Sequence, residues 1–382
     1  MNILPIPWAK PTIGKEELNE IIDSFDKDWL TMGPKVQQFE NLMAEYLGVP
    51  YAVAVSNGTV ALDIALKTIG ITSEDEVIIP ALTYFSTASA ISYQNATPVF
   101  VDIERNSLNI DPIKIEEAIT NKTKAIIFID YGGNPSNYDE IAKIGTKHNL
   151  FVLQDAAQSL GAIYKGKKMG AQAEISTMSF HMAKIMTSVE GGMIFSHNRD
   201  YYNEIITRRN IGEPKGQKYM HLTLGTNARM TDLNAGIALA QFSKLPNMLK
   251  ERKRVAKQYD LLFKNSDINP AFTNNKYNEN AYFFYPILVS ERDLIAKKLK
   301  DNYKIDTRIA YPLPLYKQPI YNSGNYKSID MDCPITEEIT ARILNLPIFP
   351  EMTNDMVKIV VDSILKENEK LMHKDSNYGL KK

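Results

Sequence analysis

The sequence predicts an α/β protein with a mostly parallel sheet in a large domain, followed by a smaller α+β domain. Between residues 51 and 196, short apolar runs alternate with segments of helical spacing, which is the pattern of parallel strands joined by crossover helices. The chain has 382 residues, more than one hydrophobic core usually holds. We therefore expect a large domain over residues 1–250 and a small domain over residues 251–382.

Two amphipathic helices are predicted before the first strand. In the first, Leu18, Ile21, Ile22 and Phe25 fall on one face, as expected of a helix that packs on a core. The turn around Gly33-Pro34 breaks this pattern, and a second apolar stripe follows it. Both segments are interpreted as packing helices.

The first strand leads into a turn with two possible readings. Residues 51–55 are apolar, and residues 56–59 (Ser-Asn-Gly-Thr) come directly after them. Asn-Gly after a strand ordinarily indicates a hairpin, but the spacing of the next residues is helical. A strand-to-helix turn leaves free backbone N–H groups that can bind a phosphate. Many such turns bind nothing, so the turn alone does not establish a site.

The alternation continues through four more apolar runs, as in a sheet that is buried on both faces. We predict strands at 77–79, 97–101, 124–129 and 150–153, and helices near 85–94, 112–120 and 137–148. Ligands of such sheets bind beyond the carboxyl ends of the strands. The residues that fall at those ends are Ser56, Pro80, Asp130, Asp155 and His181.

Residues 151–196 carry the most informative pair of side chains. One buried strand ends at Asp155, and a second strand is followed by Lys184. A lysine and a carboxylate at one edge of a sheet suit a pyridoxal 5'-phosphate site, because the lysine forms a Schiff base and the carboxylate keeps the ring nitrogen protonated. Alternatively, Asp155 caps a helix and Lys184 is an ordinary surface lysine.

Composition excludes several classes of function. The 44 basic and 45 acidic side chains leave a net charge of −1, so neither nucleic acid nor an anionic membrane is expected as a partner. The five histidines lack metal-ligand spacing, and no metal site is predicted. Because there is one cysteine and no apolar run long enough to span a bilayer, we expect a cytoplasmic protein.

The second half of the chain predicts a helical region at 200–260 and a compact α+β unit after it. In that unit we expect an apolar strand at 281–289, helices near 291–303 and 335–344, and a last helix from about 354 to 371.

Seven stretches of the chain match a known pattern, at residues 30–34, 54–62, 75–80, 155–158, 179–181 with Lys184, 190–192 and 227–232. On these stretches the chain resembles the nucleotide-sugar aminotransferases of the DegT/DnrJ/EryC1/StrS family, over nearly its whole length. The resemblance implies the aspartate aminotransferase fold (fold type I) and pyridoxal phosphate as cofactor. A nicotinamide-dependent oxidoreductase is disfavoured, because residues 56–59 lack the Gly-x-Gly-x-x-Gly turn.

The resemblance also implies roles for individual residues. Lys184 takes the place of the catalytic Schiff-base lysine, and Asp155 that of the partner of the ring nitrogen. The other cofactor contacts that it implies are Tyr84 stacked on the ring, Gln158 near the ring hydroxyl, Gly58, Thr59 and Ser179 at the phosphate, and Asn227 reaching the phosphate from the neighbouring subunit. Near the substrate it places His181, Arg229 and Tyr311.

The implied reaction is a ping-pong transfer from glutamate, through 2-oxoglutarate release, to a nucleotide-linked 4-keto-6-deoxy sugar. Residues 187–192 resemble relatives that aminate C4, so a 4-amino product and a homodimer with shared active sites are expected. Met182-Ala183 and Tyr316 depart from the family pattern at positions where proline and histidine are common. The alternatives are a sugar 3-aminotransferase, a dehydratase, whose relatives carry histidine in place of Lys184, and a non-catalytic sensor that retains the pocket.

Overall fold

A computed structural model describes residues 5–272 and 278–379. Its strands are β1 (Tyr51–Val55), β2 (Glu76–Pro80), β3 (Thr97–Val101), β4 (Thr123–Ile129), β5 (Phe151–Asp155), β6 (Ile163–Tyr164), β7 (Lys167–Lys168), β8 (Ile175–Ser179), β9 (Gly192–Ser196), β10 (Asn278–Glu279), β11 (Tyr285–Leu288), β12 (Ile329–Asp330) and β13 (Ile343–Leu346). Its helices are α1 (Lys15–Asp26), α2 (Pro34–Leu47), α3 (Gly58–Thr68), α4 (Phe85–Ser92), α5 (Pro112–Ala118), α6 (Tyr138–His148), α7 (Arg199–Arg209), α8 (Asp232–Phe263), α9 (Arg292–Tyr303), α10 (Pro319–Asn322), α11 (Pro334–Arg342) and α12 (Asn354–Gly379).

The central sheet has eight strands in the order β1-β9-β8-β5-β4-β2-β3-β12. Strand β9 is antiparallel to both of its neighbours, and the other pairs are parallel. Alternate residues of each strand enter two separate apolar cores, one on each face of the sheet. The predicted α/β class with a mostly parallel sheet is therefore confirmed, although β9 and the short edge strand β12 were not predicted.

Helix α1 does not bury the apolar face that its sequence suggested. Leu18, Ile22 and Phe25 are about half exposed, at 55%, 48% and 56%, and the prediction that this face packs on a core is wrong for the single chain. The helix lies against α8 through Glu17 instead, whose carboxylate accepts hydrogen bonds from Gln241 and from Lys244 at 2.7 Å. A buried carboxylate paired in this way fixes the helix's orientation, and the apolar stripe faces outwards.

Helix α8 connects the large and small parts of the chain. Its first half packs on α1 and α2, and its second half joins β11, α9, β13 and α12 in a third apolar core. The expected boundary at residue 250 falls inside this helix, and the division into two domains stays a prediction. The apolar strand expected at 281–289 is shorter, since β11 covers only Tyr285–Leu288.

No helix in the described ranges is long and apolar enough to cross a membrane. The described residues also contain no cluster of three or more potential metal ligands.

Candidate active site

A cleft of about 850 Å³ lies at the carboxyl ends of β5 and β8, beside the start of α3. Its volume is in the range of small-molecule sites. Every sequence-predicted site residue lines it except Asn227 and Arg229. Those that line it are Gly58, Thr59, Tyr84, Asp155, Gln158, Ser179, His181, Lys184 and Tyr311.

Lys184 lies in the irregular segment after β8, with its amine inside the cleft. The backbone N–H of Lys184 donates to the carbonyl of His181 at 2.8 Å, which closes a turn. Nζ of Lys184 lies 4.7 Å from the ring centre of Phe283. Burial lowers the pKa of Lys184 to about 8, although the charge of Asp155 opposes this. A lysine that is partly neutral near physiological pH can act as a nucleophile and as a proton carrier.

Asp155 ends β5 and is 7% exposed. Its carboxylate accepts hydrogen bonds from the N–H of Ala157 at 3.1 Å and from the hydroxyl of Thr87 at 3.0 Å. Burial raises the pKa of Asp155, while the Ala157 N–H, the charge on Lys184 and the Thr87 hydroxyl act in the opposite direction. The carboxylate is therefore held in a fixed orientation with a cation near it.

The turn after β1 is a strand-to-helix turn, as predicted. Asn57 caps α3 by accepting from the N–H of Val60 at 2.9 Å, which leaves the N–H groups of Gly58 and Thr59 at the helix start. A Cβ on Gly58 would lie 2.9 Å from Cβ of Ser179. Glycine is needed here because the helix approaches β8 so closely.

Hydroxyl groups surround this helix start. Oγ1 of Thr59 and Oγ of Ser86 are 2.6 Å apart, and Ser179 lines the same part of the cleft. Hydroxyls and free N–H groups at the positive end of a helix are suited to a phosphate group.

One further polar atom in the cleft wall is unpaired. Oγ1 of Thr177 is buried and has no hydrogen-bond partner, although buried hydroxyls normally have one. Together with the helix start and the Lys184–Asp155 pair, this orphaned hydroxyl fits a bound cofactor that carries a phosphate and a polar ring. The residues present therefore fit pyridoxal phosphate.

The substrate side of the cleft is lined by aromatic and amide side chains. Gln158 accepts from the N–H of Gly132 at 2.8 Å and donates to the hydroxyl of Tyr311 at 3.2 Å. Burial raises the pKa of Tyr311 well above its usual value, so its hydroxyl stays protonated. The rings of Tyr84 and Tyr311 are 6.0 Å apart, with Tyr84 59% exposed, and leave a space between them and Lys184.

His181 lies at the mouth of the cleft. Its Nδ1 accepts from the N–H of Ala183 at 3.2 Å, and its Nε2 is 3.7 Å from Oε1 of Glu190. Both side chains are largely exposed, so they can reach a bound substrate but do not form a buried pair.

Asn227 and Arg229 are not among the described residues that line this cleft. Asn227 is exposed, and its backbone forms a bridge with Asn210. Arg229 donates to Oδ1 of Asn210 at 2.7 Å. Within one chain the structure thus leaves both side chains outside the site that the other predicted residues form.

Three polar side chains of the site escaped the sequence reasoning. Thr87 orients Asp155, Ser86 adds a hydroxyl beside Thr59, and Thr177 contributes the unpaired hydroxyl. The first two lie in the hydroxyl-rich start of α4, directly after Tyr84, which was the signal available in the sequence. Thr177 lies inside the buried strand β8 and gave no signal.

Comparison with known proteins agrees with this geometry. The model of the DegT/DnrJ/EryC1/StrS aminotransferase family matches residues 11–365. GDP-perosamine synthase of Escherichia coli O157:H7 is 35% identical over 366 residues, covering 94% of this chain and 97% of its own length. The dTDP-3-amino-3,6-dideoxy-alpha-D-galactopyranose transaminase of Aneurinibacillus thermoaerophilus is 34% identical over 352 residues, covering 92% of this chain and 94% of its own length.

Solved structures show the same likeness. Spr1654 of Streptococcus pneumoniae, a proposed sugar aminotransferase solved in a PMP form, is 28% identical and superposes with a TM-score of 0.92, covering 98% of this chain and 100% of its own. The PLP form of the same protein superposes with a TM-score of 0.90 at 28% identity, covering 96% of this chain and 99% of its own.

Proposed function

Because the chain belongs to the DegT/DnrJ/EryC1/StrS family of aminotransferases, which depend on pyridoxal phosphate, we propose that it transfers an amino group from glutamate to C4 of a nucleotide-linked 4-keto-6-deoxy sugar. The two half-reactions follow a ping-pong order at one site. The observation that carries the proposal is the placement of Lys184 and Asp155 in one cleft with a phosphate-type helix start.

Each group of residues has a distinct task in this proposal. Bound pyridoxal phosphate supplies an electron sink for the carbon that loses its proton. Lys184 takes that proton and returns it, for which an amine with a pKa of about 8 is well matched. Asp155 holds a proton on the ring nitrogen through a charge-assisted hydrogen bond.

The remaining cofactor residues position the ring. Tyr84 would stack on it, and Gln158 would lie near its hydroxyl. The start of α3 would hold the phosphate, with donors from Gly58, Thr59 and Ser179.

The choice of C4 rests on residues 187–192, which resemble relatives that aminate this carbon. In this chain Glu190 lines the cleft, so the segment is close enough to affect how a sugar is oriented. One relative, at 34% sequence identity, is named for a 3-amino product. An experiment must therefore distinguish amination at C4 from amination at C3. NMR of the purified product should show nitrogen on C4, and nitrogen on C3 would overturn this part of the proposal.

The reaction is tested with a panel of substrates. The purified protein is incubated with glutamate and with dTDP-, UDP-, GDP- and CDP-linked keto sugars, and products are identified by mass spectrometry. An amino sugar with stoichiometric 2-oxoglutarate supports the transaminase. Loss of water without nitrogen transfer would indicate a dehydratase, and bound cofactor without turnover would indicate a sensor.

We also propose that the active site is shared within a homodimer. The support is an exposed apolar surface on α1, formed by Leu18, Ile22 and Phe25, and a second one around Leu222 and Leu224, which are 66% and 89% exposed. Apolar surface of this kind is typical of a subunit interface. The second patch lies just before Asn227, so that dimerisation on it would bring Asn227 towards the neighbouring cleft.

Subunit complementation tests the shared site. Lys184→Ala and Asn227→Ala chains, each nearly inactive alone, are mixed under conditions where subunits are shown to exchange. If Asn227 acts across the interface, one site of each heterodimer has both residues and activity returns. If it acts within its own chain, every site keeps one defect and the mixture stays inactive.

A further inference from the structure

An aromatic wall runs from Lys184 to the outer end of the cleft. The ring centres of Phe283 and Phe284 are 4.3 Å apart, and those of Phe284 and Trp8 are 5.8 Å apart. Nζ of Lys184 lies over the Phe283 end at 4.7 Å, and the guanidinium of Arg308 lies over the Trp8 end at 5.3 Å. These three rings, called the aromatic wall below, thus have a cation at each end.

Hydrogen bonds fix the backbone of Arg308, and its side chain is available to bind an anion. Its N–H donates to the carbonyl of Asn345 at 3.0 Å, and its carbonyl accepts from the N–H of Asn345 at 2.8 Å. Its side chain lies over Trp8 and forms no ion pair with any residue in the described ranges. A guanidinium stacked on an indole keeps its outward N–H donors free for an anion.

The charges of the cleft make Arg308 distinctive. Among the described residues that line the cleft, the cationic side chains are Lys184 and Arg308, and the anionic ones are Asp155 and Glu190. Lys184 is assigned to the cofactor. An anionic substrate therefore meets one permanent cation in this subunit, and it meets it at the far end of the aromatic wall.

A second cavity adjoins the cleft at this end. It has a volume of about 430 Å³ and shares Trp8 and Arg308 with the cleft. Lys297 and Lys300 line it as well, each paired with a nearby aspartate. Nε1 of Trp8 is buried without a hydrogen-bond partner, which leaves an unsatisfied donor where the two cavities meet.

We propose that Arg308 binds the diphosphate of the sugar nucleotide, with the sugar along the aromatic wall towards Lys184 and the nucleoside in the second cavity. This inference rests on the proposed function, since it assigns one group of that substrate. The carboxylates of glutamate are the other anions that enter the cleft. A diphosphate fits better, because Arg308 lies at the cleft's outer end, where a second cavity has room for the nucleoside beyond it. A guanidinium also matches phosphate oxygens with two parallel N–H groups.

Equilibrium titration of the cofactor-loaded protein with UDP, GDP, dTDP and CDP tests the assignment without turnover. We expect one of the four to bind the wild type, and Arg308→Gln to raise its dissociation constant by about 10- to 100-fold, the range for a lost hydrogen bond to a charged group. Arg308→Lys keeps the positive charge but loses the two parallel N–H donors, so its dissociation constant should lie between those of the wild type and Arg308→Gln. Arg105→Gln, at a surface arginine paired with Glu338, is the matched control and should bind as wild type does.

Single-turnover reaction with glutamate separates the two possible anions. Arg308→Gln should keep the wild-type rate within about twofold, since the donor does not need the diphosphate site. Unchanged nucleotide binding in Arg308→Gln, no binding of any of the four by the wild type, or a lost glutamate half-reaction with intact nucleotide binding would each overturn the inference. If no keto sugar is converted but nucleotide binding depends on Arg308, the proposed function fails and the binding site stands.

Discussion

The free amine of Lys184 should be much more abundant than that of an ordinary lysine in the cofactor-free protein. Burial lowers its pKa from 10.5 to about 8, a difference worth about 3 kcal/mol between the two protonation states. At about pH 7.5 roughly a quarter of Lys184 is neutral, against about one in a thousand for an unperturbed lysine, a gain of roughly 200-fold. The pKa of Lys184 is lowered because the desolvated site disfavours the charged form of the amine.

Competitive acetylation with trace acetic anhydride from pH 6 to 11 measures this directly, because only the neutral amine reacts. The Lys184 peptide should be labelled with a midpoint near 8. Lys143 is the internal control, since its hydrogen bond to Glu140 raises its pKa, and its midpoint should not fall below the usual lysine value. In Asp155→Asn the midpoint of Lys184 should fall further, because the charge of Asp155 raises that pKa. The reasoning is refuted if Lys184 titrates like Lys143, or if its midpoint rises in Asp155→Asn.

Three further substitutions test the cofactor side of the site. Asp155→Asn should retain pyridoxal phosphate but lose about 10²-fold in turnover; near wild-type kcat would mean that Asp155 only orders the turn at Ala157. Gly58→Ala should weaken cofactor binding about tenfold or more, because its Cβ would lie 2.9 Å from that of Ser179; unchanged retention in dialysis would contradict the close approach. Thr87→Val removes a hydrogen bond that lowers the pKa of Asp155, so the acidic limb of the pH–rate profile should move to higher pH with a loss of about tenfold; an unmoved limb would show that Thr87 only packs.

The sequence predicted the parts of this fold that follow from local pattern. Apolar runs separated by helical spacing marked the strands of the sheet, and their carboxyl ends placed Asp155 and Lys184 at one edge before any contact was known. Asn57 was recognised as part of a strand-to-helix turn for the same reason, because the signal lies within a few neighbouring residues.

Contacts between distant segments were beyond that reasoning. The hydrogen bond from Thr87 to Asp155 joins residues 68 positions apart, and the hydroxyl-rich sequence around Thr87 does not indicate which residue accepts it. The outward apolar face of α1 is a similar case. Periodicity identified the face correctly, but the direction in which it points is set by Glu17 and its partners on α8. The aromatic wall was missed because Trp8 and Phe284 meet only when the N-terminal segment crosses the small part of the chain.

These two kinds of contact correspond to two kinds of chemistry. The groups assigned to the cofactor lie at the end of a strand of the central sheet, as Asp155 does, or in the segment that follows one, as Lys184 does. Those assigned to the substrate, such as Tyr311 and Arg308, come from the segment after α9, where Tyr311 accepts a hydrogen bond from Gln158 in the loop after β5. Because the two groups lie on different segments, substitutions after α9 can change the substrate contacts while Lys184 and Asp155 keep their places. The residues for amino transfer could therefore be predicted from the sequence. The identity of the sugar depends on side chains whose neighbours are set by tertiary structure.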